Sequence, residues 1–270
     1  MRHRWFGSLS RLIGLATATL IAMATVSLVQ VGLIASDEAD TLAARGERAL
    51  FETFLRGRLL LMARDQLSLA QWNKSVENVV LHFNRRYLRT EIFEPLWGDF
   101  SVSYNVVVGA DGAVLASARR EEVTFVTDGR RLDGDPALLR ERTVARYLAN
   151  RIAVDGGFRQ KHVTTAQVGE IAEVGFVEID GAPHLAGAMA IVPDDGTVNL
   201  PDGPPVVLIS ARPIDDALLA EFATDLGFRD LAFAATPTDP TTGWAARALD
   251  GRPIGAFVWT SDTPGARIWR

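Results

Sequence analysis

Residues 102–116 read VSYNVVVGADGAVLA, and this stretch decides the fold class. Val102, Tyr104, Val106 and Val108 alternate with Ser103, Asn105 and Val107, the period of two that a strand imposes on its side chains. Gly109-Ala110-Asp111-Gly112 then returns the chain into the apolar run Ala113-Val114-Leu115-Ala116, which predicts a β-hairpin. Asp-Gly pairs recur eight times, at 111, 128, 133, 155, 180, 195, 202 and 250. Asp-Gly suits tight turns that need positive φ, so the repetition predicts a sheet with many reversals.

Downstream, Asp135-Pro136 predicts a helix start, with aspartate as cap and proline in the first turn. Leu138, Leu139, Val144, Tyr147, Leu148 and Ile152 supply its apolar side, and Asp155-Gly156-Gly157 is its expected end. Strands are predicted at about 171–179 and 184–192, joined through Asp180-Gly181-Ala182-Pro183. The span 193–205 is polar and rich in proline and glycine, hence a surface loop, and the apolar run 206–210 is a buried central strand. Asp215 caps a short helix carrying Leu218, Leu219 and Phe222 and closed by Gly227; strands near 228–235, 243–249 and 254–260 complete the chain. Strands and helices do not alternate regularly enough for a parallel doubly wound fold. The expectation is an α+β domain: an antiparallel sheet with covering helices.

Upstream, residues 39–97 read as one long helix. Leu69, Trp72, Val76, Val80, Phe83 and Tyr87 recur at steps of three and four, and no proline intervenes before Pro95. Gly46 and Gly57 are its soft points. Before it, the 24 residues 12–35 carry no charged side chain. As a helix they reach roughly 36 Å, enough for a hydrocarbon core of about 30 Å. Arg2, His3, Arg4 and Arg11 precede the run, and Asp37, Glu38 and Asp40 follow it. The positive-inside rule then predicts a cytoplasmic tail at 1–11, a transmembrane helix at 12–35 and an exported region at 36–270. A cleaved signal peptide competes, but its apolar core spans only about 7–15 residues and ends in a small-residue cleavage site, so length favours the anchor.

Composition narrows the function. Hydrophobic residues make up 48% and charged residues 23%, enough apolar content for a sizeable core. A net charge of −5 without a basic patch argues against nucleic acid, and the absence of cysteine excludes disulfides, thiolate metal sites and cysteine catalysis. No catalytic or metal constellation is read. His3, His82, His162 and His184 show no metal-ligand spacing, Ser10 and Ser210 lie in no nucleophile elbow, and Asp194-Asp195-Gly196 lacks the spaced acids of a calcium loop. No cofactor is expected.

The order of these features resembles a known family. It runs from the anchor to a helix with Asp65 and Trp72-Asn73, then a strand with a Gly-x-Asp-Gly hairpin, then VVLISAR at 206–212 entering Ile-Asp-Asp-x-Leu-Leu at 214–219, and last Trp259-x4-Pro264-Gly265. It resembles the fourth class of CHASE domains, extracytoplasmic sensors of bacteria and archaea related to the Cache and PAS folds, over about residues 40–268. In that family the helix usually reads Trp-Asp where this chain has Trp72-Asn73.

The resemblance implies a ligand pocket between the sheet, the long helix and covering loops, with Trp72, Asn73, Tyr104 and Asn105 as candidate ligand-binding residues. Arg212 joins them because its guanidinium fork suits a carboxylate. Core packing competes for Trp72 and Tyr104, water for Asn73, and a surface acid, Asp215 or Asp216, for Arg212. The resemblance further implies a homodimer and a membrane-bound receptor with a small-molecule ligand. Such receptors continue into a second membrane helix and a HAMP, GGDEF, EAL or histidine-kinase module; none is legible up to Arg270, so the expectation is a sensory front end cut before its second crossing, or a truncated product. An anchored scaffold without ligand, and an exported enzyme with a diffuse site, are the rivals.

Overall fold

The computed structural model describes residues 3–234 and 243–267, with side chains from 13 to 234 and from 243 to 265. The predicted charge flank at Arg2, the side chains of His3, Arg4 and Arg11, and the last residue of the strand expected at 228–235 lie outside the described residues. The chain divides into two compact units, one of residues 1–49 with 260–270 and one of residues 50–259.

Helix α1, His3–Ala70, runs through the apolar stretch without a break and is long and apolar enough to cross a membrane. From Ile13 to Ile34 its large apolar side chains are exposed. In the same unit the segment after Thr260 lies against α1: the Asp262 N–H donates to Glu47 Oε1 at 2.8 Å and the Gly265 N–H to Asp40 Oδ1 at 2.7 Å. Gly265 touches Ser36 so closely that any Cβ would collide with its backbone.

The second unit begins within α1. The predicted single helix over 39–97 is interrupted twice. α1 ends at Ala70 because the chain there joins a distant strand end: Val192 donates to the Ala70 carbonyl at 2.9 Å and accepts from the Trp72 N–H at 3.0 Å. Trp72 is extended (φ −155°, ψ 132°). Short helices α2 (Asn73–Ser75), α3 (Arg85–Tyr87) and α4 (Glu94–Gly98) follow, linked by π-helical turns Val76–Leu81 and Leu88–Phe93, with a break at 82–84. His82 therefore ends a helical turn rather than lying inside a helix.

The hairpin appears as β1 (Tyr104–Val108) and β2 (Val114–Arg119), extended by β3 (Glu122–Phe125). Helix α5 spans Gly134–Asn150. It stops before the glycine pair that was expected to end it, because β4 (Arg151–Val154) and β5 (Gly157–Gln160) form a hairpin around Asp155-Gly156. Strands β6 (Glu173–Ile179), β7 (Ala182–Ala190) and β8 (Val207–Pro213) are followed by α6 (Asp216–Leu226), β9 (Arg229–Ala234), β10 (Gly243–Arg247), β11 (Pro253–Thr260) and the turn α7 (Pro264–Arg267). Asp215 caps α6 as predicted, accepting from the Leu218 N–H at 2.9 Å.

Strands β3-β2-β1-β8-β7-β6 form one antiparallel sheet with β8 inside it, and β10-β11-β9 form a second. The architecture is the α+β class read from the sequence. Alternate residues send the first sheet's side chains to two faces. Val107, Ala116, Met189 and Leu208 pack under Ala63 and Leu67 of α1 and under Val79, Ile92 and Leu96 of the following helices. Val108, Val177, Ala188 and Ile209 form the other face with Leu139 of α5. A third core, with Phe51, Leu55, Phe222, Phe257 and Trp259, sits under the smaller sheet; the Phe51 and Phe257 rings are 5.0 Å apart.

Asp135 does not cap α5. Asp133 is the N-cap residue, and the buried Asp135 carboxylate accepts from the Glu178 N–H at 2.8 Å and pairs with Arg252 at 3.1 Å. The helix start is thereby fixed to β6. Donors inside the fold outcompete a helix-end N–H for a carboxylate when they satisfy its desolvated charge.

Candidate functional site

The five residues picked from the sequence fall in three places. Trp72 and Asn73 stand where α1 ends. The Trp72 ring is half-buried, 6.4 Å from the Tyr87 ring, with Lys74 Nζ 5.1 Å above it. Asn73 faces the loop 193–205 rather than open water. Its Nδ2 donates to Asp195 Oδ1 at 2.6 Å and to Thr197 Oγ1 at 2.8 Å, while its Oδ1 accepts from the Asp194 N–H at 3.2 Å. The side-chain bonds from Asn73 and Thr197 hold the Asp195 carboxyl below its ordinary pKa. An aspartate at 73 would set two carboxylates face to face here, so the departure from Trp-Asp matches the acidic loop it grips. Asp194 and Asp195 are hydrogen-bond partners of Asn73.

Asn105 and Arg212 share the sheet face under α1. In register across the strands stand Ala118, Asn105, Ser210 and Gly187. Asn105 is fully buried and donates from Nδ2 to the Val102 carbonyl at 3.1 Å. Gln66 of α1 donates to the Gly187 carbonyl at 3.0 Å, and a Cβ at 187 would stand only 3.1 Å from Gln66 Oε1, so glycine is what lets helix and strand meet. Arg212 pairs with Glu221 of α6 at 2.6 Å, not with Asp215 or Asp216. It lines a cavity of about 80 Å³ with Asp65 and Val102, where burial pushes the Asp65 carboxyl above its ordinary pKa.

Tyr104 faces the other way. It lines a cavity of about 370 Å³ over β1, β2 and β3, on the α5 face of the sheet. Two register rows make the floor: Tyr104 beside Arg119 beside Glu122, and Val106 beside Ser117 beside Thr124. The stretch 130–133 leading into α5 forms a wall. Arg119 lies 5.4 Å over the Tyr104 ring and forms an ion pair with Asp180. Burial raises the Tyr104 pKa, and the Arg119 charge opposes that.

A period of two already separates Tyr104 from Asn105, so the two cannot share a pocket on one side of a strand. The same period was the signal for Ser117 and Arg119, polar residues on the Tyr104 side of β2, which the sequence reading did not single out. His162 contacts Gln71 through Nδ1 at 2.6 Å, and His184 Nδ1 contacts the Ala182 carbonyl at 2.9 Å; both act as structural links.

The sequence model of the CHASE4 domain matches residues 54–234, about two thirds of the chain. The chain belongs to the CHASE4 family. The match runs from within α1 to β9, so the CHASE4 region includes the whole six-stranded sheet, the clasp at Asn73 and the cavity over β1–β3. No curated protein matches this CHASE4 chain. CHASE4 is a sensory domain family, and the apolar part of α1 is consistent with a membrane anchor.

Proposed function

We propose that this chain is the signal-input region of a membrane-bound bacterial receptor. Residues 12–35 cross the inner membrane, and residues 36–270 lie in the periplasm. A small ligand, or the state of the envelope, biases the domain, and α1 carries the change to a cytoplasmic output such as cyclic-di-GMP turnover. The receptor acts as a homodimer, and this region performs no catalysis.

One combination carries the reading: a CHASE4 domain that begins within a helix whose upstream part is an exposed, uncharged, membrane-length run. The flanking charges support the orientation, with Arg2, Arg4 and Arg11 before the run and Asp37, Glu38 and Asp40 after it. A sensor needs two arrangements of one element and an input that favours one of them, and α1 packs directly on the sheet that the input would strain.

Alkaline phosphatase fused after residue 262 should be active in intact cells, and the same reporter fused before residue 12 should be inactive. The reverse pattern, or recovery of the uncleaved chain in the soluble cytosol, defeats the proposal. A ligand-free scaffold would keep the topology, yet leave cellular cyclic-di-GMP unaltered when the gene is deleted.

A further inference from the structure

The cavity over β1–β3 gathers charges of both signs that do not neutralise one another. Arg119 is already occupied by Asp180. Four other charged side chains line the same space: Arg130, Arg131, Glu122 and Asp133. Among the described residues none of the four makes an ion pair or a side-chain hydrogen bond. Charges scattered over a convex surface are solvated singly and need no partner. These four are exposed to solvent as well, but they line one concavity, two of each sign, and together offer both charges to a molecule seated there.

Asp133 supplies an independent sign. It occupies the N-cap position of the 17-residue helix α5 with the extended backbone of a cap (φ −126°, ψ 171°), yet its carboxylate takes no first-turn N–H. Accepting such a bond is what an N-cap aspartate ordinarily does. Arg131 is positioned too: it lies against Gly112, where φ is 87° and a Cβ would come within 2.8 Å of Arg131 Nη1. The glycine gives the β1–β2 turn its positive φ and gives the guanidinium its place.

We infer that this cavity binds a small zwitterion, a molecule with one carboxylate and one ammonium such as an α-amino acid. Arg130 and Arg131 receive the carboxylate, and Glu122 and Asp133 receive the ammonium. A simple anion would leave two carboxylates facing it, and a diamine would leave two guanidinium groups; a zwitterion answers both sets. Tyr104 and Leu132 offer apolar surface to the rest of the ligand over the buried Val106 and Val114, and Ser117 and Thr124 offer hydroxyls. The volume, about 370 Å³, is at the small end of ligand pockets. This rests on the sensory reading and names its ligand class.

The test is calorimetric titration of the full chain in nanodiscs with the standard α-amino acids, and with succinate, inorganic phosphate and putrescine. At least one amino acid should bind saturably, and the three single-sign probes should not. The N-acetyl and C-amide forms of that amino acid, each lacking one charge, should lose binding. The double variants Arg130→Gln/Arg131→Gln and Glu122→Gln/Asp133→Asn should each weaken it tenfold or more without lowering the unliganded melting temperature. Saturable binding of a single-sign probe alone, amino-acid binding indifferent to both double variants, or no binding of any probe overturns the assignment. The phosphatase fusions judge the sensory reading separately: an exported domain that binds no zwitterion sinks this inference alone, whereas a cytosolic domain sinks the receptor as well.

Discussion

The two faces of the six-stranded sheet are built from alternate residues of the same strands and have opposite characters. Under α1 the face is closed over most of β2 to β7: Asn105 and Ser210 are fully buried, and near the end of β8, at Arg212, a cavity of about 80 Å³ opens. On the other face α5 covers β6, β7 and β8, while over β1, β2 and β3 the sheet opens into a cavity lined with charge. The difference follows from what each helix can span. α1 and the segments after it bring many large apolar groups to one face, whereas the 17-residue α5 is anchored at its start to β6 and reaches only part of the other. A closed face stores stability; a partly covered one leaves room for chemistry.

That contrast is broken most directly by truncation. Leu208→Ala, on the closed face, should cost about 2–5 kcal/mol in denaturant unfolding, because a buried leucine leaves a cavity. Thr124→Ala, on the open face, should cost under about 0.5 kcal/mol. Equal costs would mean that the two faces are packed alike.

Asp135→Ala should come next, at about 1–3 kcal/mol, since it strips a buried acceptor from the Glu178 N–H. Hydrogen exchange at Glu178 and along the first turn of α5 should rise with it. If only global stability changes, Asp135 does not tether the helix.

Asn73→Asp should cost about 1 kcal/mol, the worth of one hydrogen bond replaced by repulsion from Asp195. The penalty should shrink in acid as the two carboxylates protonate, and amide exchange in 193–205 should accelerate at neutral pH. A penalty that does not vary with pH would rule out a carboxylate pair.

The smallest effect concerns Asp65. Burial holds its folded pKa above its unfolded value, so this side chain favours folding below the ordinary carboxylate range near 4 and loses that contribution as pH rises through the folded pKa. Asp65→Asn should therefore raise the melting temperature at pH 7, and the gain should close on acidification. A gain that is unchanged across the range would rule out desolvation as the cause.

The parts of the fold that were legible had local causes. The 102–116 hairpin, the central strand beginning at Val207 and the Asp215 cap follow from period, turn chemistry and capping over a few residues. What was misread had remote ones. Nothing between 65 and 75 breaks a helix by propensity; the break at Trp72 comes from pairing with Val192. Asp135 looked like a cap because its tie to Glu178 and Arg252 spans 43 and 117 residues. The candidate site residues are not brought together: Tyr104, Asn105 and Asn73 stand in three separate environments.

By itself the sequence determined the elements and the class: an uncharged membrane-length helix, an antiparallel α+β domain, and a family resemblance that the match over 54–234 made definite. Those depend on short-range periodicity and composition, which are written in the order of residues. Only the tertiary structure decided which polar groups are spent on one another and which are not. Partners such as Asn73 with Asp195, or Arg212 with Glu221, form when packing brings distant segments within hydrogen-bond range, and the cavity charges that have no partner among the described residues are those left over from that pairing.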